Sequence, residues 1–466
     1  MAGPLPLDFG RPLVDLPPLP LDRTAPRPLA VQLADALRAA TADGTLRAGD
    51  RLPSTRALAA TLGVSRTVTA AAYDQLLAEG WAQGRRGSGT YVVGAPAGPP
   101  RVRAAVAPAR RAEPAHVDLS AGAPCVASLD RAAWRRAWRA AGDAAPDVEP
   151  DDVGLDAFRI VVVEHLLRHR GLPADPADVL ATGGSTSAIG ELARTLPAGA
   201  RVAVEEPGYQ RAVAALRDAG LDVTSVPVDA AGLVVDALPT GLAAVYCTPA
   251  HQYPTGSRLS AARRVALVER ARAEGFLVLE DDYDGELRFD VAPLPLLAAL
   301  GPDVVVHLGT ASKLLTPTLG VGWLVAPPEV RDAVLAARRR SGGRPARAGQ
   351  RVFAAFGVHG DLARHLRRLR RELAGRRAAV VTAVQAAGLA VEGDAAGAHV
   401  VVPLPDAATE LAVVRDAAAR GVRLDGLARH YSGTPAGAGI VLGYAGPTGD
   451  ELERALPVVA DVLGRP

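Results

Sequence analysis

Apolar positions follow two rhythms along this chain, and the change between them divides it. In residues 28–43 (PLAVQLADALRAATAD), Leu29, Leu33, Leu37 and Ala40 recur near helical spacing. Pro28 stands at the start, where a missing N–H costs a helix nothing. Gly44 marks a turn. Ser54 then precedes a short apolar set, Leu58, Ala59 and Leu62, which Gly63 ends. Ser65 precedes a second set, Val68, Ala72, Tyr73, Leu76 and Leu77, which runs to Gly80. A serine oxygen accepts from the unpaired N–H groups of a first turn, so both serines are read as N-caps. Two helices joined by a glycine turn predict a helix-turn-helix. WAQGRRGSGTYVV adds two strand-like pieces around residues 85–89, a β-wing whose arginines can meet phosphate.

Past residue 116 the rhythm changes. RVAVEEP, LAAVYCTP, FLVLEDDYD and VVVHLGT are short apolar runs that stop at polar or glycine-bearing turns. SAARRVALVERARAEG and TSAIGELARTL read as helices between them. Strands alternating with helices predict an α/β fold, a parallel sheet with helices on its faces. The stretch 95–116 (APAGPPRVRAAVAPARRAEPAH) has no apolar period and reads as a linker. The expected organisation is an arm at 1–27, a winged helix-turn-helix at 28–94, the linker at 95–116 and an α/β unit at 117–466.

Composition adds limits. The length of 466 residues suggests two to four domains, and 49% hydrophobic content supplies their cores. The net charge of +2 hides an uneven spread, because residues 1–116 carry fourteen arginines against nine acids. A nucleic-acid contact explains that excess, and a basic face turned to solvent explains it equally. Cys125 and Cys247 lack metal-ligand spacing and ask for no oxidising compartment, so no metal site is expected. No basic stretch leads into an apolar one at the start, and no run of about 18 apolar residues appears. A cytoplasmic protein without membrane segments is expected.

Lys313 changes the picture most. It is the only lysine, and the other 51 of the 52 basic residues are arginine. Arginine replaces lysine as a charge but not as a free amine that attacks a carbonyl. Chance survival in an arginine-rich chain is the competing account, and the neighbours decide. Lys313 follows the strand VVVHL within Gly309-Thr310-Ala311-Ser312-Lys313, where α/β folds place their ligands. Upstream, Thr182-Gly183-Gly184-Ser185-Thr186-Ser187 opens a helix, and N–H groups with hydroxyls there make an anion cradle. Asp281 and Tyr283 end another strand, and a buried aspartate needs a partner. An aldehyde-trapping lysine, a phosphate cradle and an acid for a protonated ring nitrogen are what pyridoxal 5′-phosphate requires.

Two resemblances complete the reading. RLPSTRALA, LGVSRTV, YDQLLAEGW and RRGSGTYV, within residues 28–93, closely resemble the winged helix-turn-helix of GntR-family bacterial regulators. That resemblance implies DNA contacts from Arg56, Ser65, Arg66, Thr67, Arg86 and Gly87. Residues 117–466 resemble the class I aminotransferase fold, fold type I. The resemblance rests on Glu206-Pro207-Gly208-Tyr209, the run from Thr248 to Gly256 (TPAHQYPTG), Glu280 to Asp284 (EDDYD), Gly309 to Lys313, and Leu442-Gly443-Tyr444-Ala445. Together the chain resembles a MocR/GabR-type transcriptional regulator. The resemblance implies an aldimine on Lys313, Asp281 at the pyridine nitrogen, Tyr283 at the ring's phenolic oxygen and Tyr209 on the ring face. It implies Gly184, Ser185 and Thr186 at the phosphate, helped by Thr310 and Ser312, and a homodimer.

Departures limit the inference. Ala70 stands where some relatives carry a further basic residue, so the operator is not legible. Gly320 stands where the family usually has a phosphate-binding arginine, and Val441 where aminotransferases bind the substrate carboxylate. Arg211 is a candidate carboxylate binder. The expected function is a DNA-binding regulator that senses pyridoxal phosphate or an amino compound. A working aminotransferase with a DNA head and a regulator that has lost its cofactor are the alternatives. Effector, operator and direction of regulation are not fixed by the sequence.

Overall fold

The structure, a computed structural model, describes residues 16–85, 89–93, 117–146, 148, 151–289 and 294–464. It divides into two units between Arg111 and Ala112. The stretch read as a linker lies wholly outside the described residues.

In the first unit α1 (Leu29–Ala42), β1 (Arg51–Leu52), α2 (Thr55–Leu62), α3 (Arg66–Ala78), β2 (Ala82–Arg85) and β3 (Gly89–Val92) follow in order. Pro28 precedes α1, which buries Leu33, Ala34, Leu37 and Ala40, while Leu29 is only half-buried. Ser54 caps α2 by accepting from the Ala57 N–H at 3.1 Å, and Gly63 ends it in the left-handed region at φ +62°. Ser65 caps α3 through the Val68 N–H at 3.3 Å. The helix-turn-helix is further tied by the Thr69 hydroxyl, which donates to the Thr55 carbonyl at 2.8 Å, and by Tyr73, which donates to Pro53 at 2.8 Å. The wing is a three-stranded antiparallel sheet in the order β1-β3-β2, one strand more than the sequence pattern showed. Two residues, Arg51 and Leu52, are too few to leave a period. The described end of the segment read as an arm packs on this core through Leu16, Leu19 and Leu21.

The second unit runs β4 (Val117–Asp118), α4 (Arg131–Asp143), α5 (Asp156–Arg170), β5 (Val179–Thr182), α6 (Ser185–Ala193), β6 (Arg201–Glu206), α7 (Gln210–Asp218), β7 (Asp222–Asp229), β8 (Gly232–Leu233), β9 (Ala244–Cys247), α8 (Ala261–Glu274), β10 (Leu277–Asp282), α9 (Leu297–Leu300), β11 (Val305–Thr310), β12 (Gly322–Val325), α10 (Pro328–Ser341), α11 (Arg347–Val358), α12 (Asp361–Ala386), β13 (His399–Leu404), α13 (Ala407–Ala419), β14 (Val422–Arg423), β15 (Asp425–Gly426), β16 (Ala438–Gly443) and α14 (Gly449–Leu463). Its main sheet has the order β5-β12-β11-β10-β9-β6-β7-β8. Alternate residues of these strands serve two cores. Val202, Val204, Tyr246, Leu279, Val306 and Leu308 pack with α6, α7 and α10. Ala203, Val245, Val278 and Val305 pack with α5, α8 and α11. Both faces are apolar, which is why the strands read as unbroken runs.

The expectation of a parallel sheet needs correction at two strands, one near each end of the sheet. β12 runs antiparallel between β11 and β5, and its two-sided packing hides its direction in the sequence. β8, at the edge, is antiparallel too. The strands β5, β6, β9, β10 and β11 remain mutually parallel, so their C-terminal ends share one edge. A smaller antiparallel sheet, β13-β16-β15, follows. Among the described residues no helix is long and apolar enough to cross a membrane.

Candidate functional site

A cavity of about 430 Å³ opens at the shared strand edge. Every cofactor-site residue singled out in the sequence lines it: Gly184, Ser185 and Thr186 after β5, Tyr209 after β6, Asp281 and Tyr283 at the end of β10, and Thr310, Ser312 and Lys313 after β11. Their separation in sequence is closed by strand order alone.

Three consecutive acids on β10 show how the strand sorts charge. Glu280 and Asp282 point to the α5–α8 face, and Asp281 points the other way. Asp282 takes two hydrogen bonds from the buried Arg170 guanidinium, at 2.6 and 2.8 Å. Glu280 accepts from the N–H groups of Leu297 and Ala298 at the start of α9. Asp281 is 3% exposed and accepts one bond, from the Tyr246 hydroxyl at 2.8 Å, through Oδ2. Among the described residues its Oδ1 has no hydrogen-bond partner. Burial pushes the Asp281 carboxyl up to about 7, against the Tyr246 hydrogen bond, which lowers it. A buried carboxylate oxygen without a donor, on a cavity wall, fits a ligand that brings a protonated ring nitrogen.

The Lys313 amine, half-buried, donates to the Gly122 carbonyl. Burial pulls its pKa below the ordinary lysine range; Asp284 and Asp281 oppose this, and Arg211 adds to it. A lysine in that position loses its proton more easily, as attack on a carbonyl requires. Gly184 precedes α6 at φ +117°, a conformation that strains any L side chain. Among the described residues no side chain caps α6, and its first N–H groups stay unclaimed beside the cavity. Around them, Thr310 donates to Ser312 at 3.0 Å, and Thr186 lies 3.1 Å from the Tyr209 hydroxyl. Neutral donors at a helix start suit an anion.

Tyr283 is tied to a neighbouring histidine and acid. Its hydroxyl lies 3.1 Å from His251 Nδ1, which is also 2.9 Å from Asp284 Oδ2. Sequence reasoning missed several wall residues. Tyr246 carried a signal: a hydroxyl in the apolar strand AVYC, paired with Leu279 and so on the face of Asp281. Gly122, His399 and His430 carried none, since they arrive from distant elements. Val441 is fully buried on β16 between Val401 and Asp425 and does not line the cavity.

In the first unit, Arg56, Ser65, Arg66 and Thr67 are all exposed at the starts of α2 and α3. Arg86 and Gly87 lie outside the described residues.

Comparison with known proteins agrees with both halves. Residues 29–92 match the family of bacterial regulatory proteins, gntR family, and residues 115–429 match aminotransferase class I and II. The HTH-type pyridoxine biosynthesis transcriptional regulator PdxR of Corynebacterium glutamicum is 39% identical, with 97% of this chain and 99% of the relative covered. The probable rhizopine catabolism regulatory protein MocR of Rhizobium meliloti is 32% identical, with 92% of each covered. Among solved structures, an archaeal alanine:glyoxylate aminotransferase superposes with a TM-score of 0.70 at 24% identity, covering 74% of this chain and 90% of that one, which shows the fold. The aminotransferase class I and II match implies pyridoxal phosphate as cofactor, and the gntR match implies DNA binding. The chain belongs to the MocR-type transcriptional regulators, in which a gntR-family winged helix-turn-helix is joined to an aminotransferase class I and II domain.

Proposed function

We propose that this regulator holds pyridoxal phosphate on Lys313 and uses the cavity to sense that compound, or an amino compound that reacts with it, rather than to turn over substrates. The observation that carries the reading is the pairing, in one cavity, of a sole lysine with depressed pKa and a buried Asp281 oxygen that lacks a donor. When bound, the cofactor supplies an aldehyde for amines and an electron-withdrawing ring. Asp281 would hold the ring nitrogen protonated, Tyr209 and Tyr283 would orient the ring, and Gly184, Ser185, Thr186, Thr310 and Ser312 would receive the phosphate. Val441 in place of a carboxylate-binding arginine favours sensing over turnover. Arg211, exposed at the cavity and without a hydrogen-bond or ion-pair partner among the described residues, can take the acidic end of an amino compound. The name of the Corynebacterium relative favours the cofactor itself as signal.

Arg56, Ser65, Arg66 and Thr67 would contact the operator, with Arg86 and Gly87 on the wing. The active form is a homodimer with two DNA heads, on the strength of the family resemblance. A ligand changes DNA affinity only if it binds two arrangements of the dimer unequally. The test combines an absorbance spectrum with added pyridoxal phosphate, borohydride reduction followed by peptide mapping, and DNA titration with and without the ligand. A visible band, a reduced adduct at Lys313 and a ligand-dependent DNA affinity are expected. No band and no adduct would end the cofactor reading, and sustained transamination of amino acids would end the sensing one.

A further inference from the structure

Among the described residues, the phosphate end of the cavity has no built-in cation. The arginine expected seven residues after Lys313 is Gly320, which ends the short helical turn Pro317–Leu319 in the left-handed region at φ +56°. Gly320 is exposed, and no atom lies within 4 Å of where a Cβ would stand. The turn sits beside the cradle. Two residues on, a Cβ at Gly322 would come within 2.7 Å of the Gly184 Cα. Around the start of α6, Ser185, Thr186, Thr310 and Ser312 are all uncharged.

Only Arg211, Lys313 and Arg429 bring positive charge among the described residues that line the cavity. Lys313 is the covalent anchor, and Arg429 is paired with Asp425 at 2.9 Å. Arg211 is placed for an amino compound. Two carboxylates, Asp281 and Asp284, share the same cavity.

Resting on the cofactor reading above, we infer that this chain grips the phosphate through neutral donors at the α6 N-terminus and no guanidinium. Pyridoxal phosphate is then an exchangeable ligand whose occupancy follows its free concentration. A guanidinium–phosphate pair is charge-assisted, and doing without one weakens binding by roughly tenfold to a hundredfold. The same omission narrows the preference for pyridoxal phosphate over unphosphorylated pyridoxal, since the two differ only at the phosphate. Lys313 condenses with either aldehyde, one water leaving.

The experiment titrates the full-length chain, stripped of ligand, with each aldehyde, following the visible band. Dialysis then measures retention. The wild-type protein is expected to lose pyridoxal phosphate on dialysis and to prefer it over pyridoxal by no more than about a hundredfold. Gly320→Arg should tighten pyridoxal phosphate by roughly tenfold to a hundredfold and leave pyridoxal unchanged. Strain at the left-handed position is common to free and bound protein, so it lowers the melting temperature and not the affinity. Gly320→Ala carries the strain without the charge and should leave both affinities as they were.

Retention through dialysis, with a preference above roughly a thousandfold, would overturn the inference and leave the cofactor reading intact. No band with either aldehyde would overturn both. If Gly320→Arg does not fold, the wild-type comparison of the two aldehydes decides alone.

Discussion

In the N-terminal head, the described side chains assigned to DNA fall within residues 56–67, and all of them stand in water. In the C-terminal unit, the side chains assigned to the cofactor are spread from Gly184 to Lys313 and meet on a cavity wall. The difference is one of how charge is used. An exposed arginine costs nothing to keep charged, contributes little alone, and is screened by salt. A buried carboxylate or amine acts strongly, and its protonation state depends on what faces it. The head should therefore respond to ionic strength and tolerate changes of pH, and the cavity should do the reverse.

Lys313→Ala gives the largest expected effect and separates the two regions most sharply. The visible band and the borohydride-trapped adduct should vanish, while ligand-free DNA binding stays near wild type. Loss of both together would show that the head depends on the cavity lysine. Next, Arg56→Ala combined with Arg66→Ala should weaken DNA binding by about thirtyfold or more, at about 1–3 kcal/mol for each contact. The salt dependence should become shallower, and the cavity titration should not move. Unchanged DNA binding in a filter or gel-shift titration would remove these residues from the interface.

Asp281→Asn comes third and is read by pH. The Asp281 carboxyl ionises near 3.8 when unfolded and at about 7 in the folded chain. Between those values the folded state holds the extra proton, so ligand-free stability falls as pH rises through that window and levels off above it. Glu205 and Glu280, also pushed up to about 7 by burial, slope the same way. Denaturant titrations at several pH values should show a shallower fall in Asp281→Asn, and cofactor binding should weaken by roughly tenfold to a hundredfold. An identical pH slope in the variant would place the titration elsewhere. Ser65→Ala, the smallest change, removes the cap of α3 and should cost the head about 1 kcal/mol in thermal unfolding, with no effect on the cavity band.

The same contrast explains how much was legible in the sequence. Ser54, Gly63 and Ser65 act on their own neighbours, so α2 and α3 emerge at the expected places. The four strand runs and the residues at their ends were also legible, because both sheet faces are apolar and the chemistry follows directly after each run. What escaped was set by register and long-range closure. β12 gives no sign of its direction, Tyr246 becomes a partner of Asp281 only through its neighbour Leu279, and Gly122 reaches Lys313 across 191 positions. The hydrogen bond from His251 to Asp284 likewise joins strings that read separately.

Strand β10 carries one more consequence. Because side chains alternate, a slip of one residue would turn Asp281 toward Arg170 and send a neighbouring acid into the cavity. The slipped strand would take Asp282 from Arg170 and Glu280 from the Leu297 and Ala298 N–H groups, and would crowd the wall opposite Lys313 with negative charge. Ligand uptake by this regulator is thus also an audit of its own assembly: a chain that can load the cavity has threaded its central strand correctly.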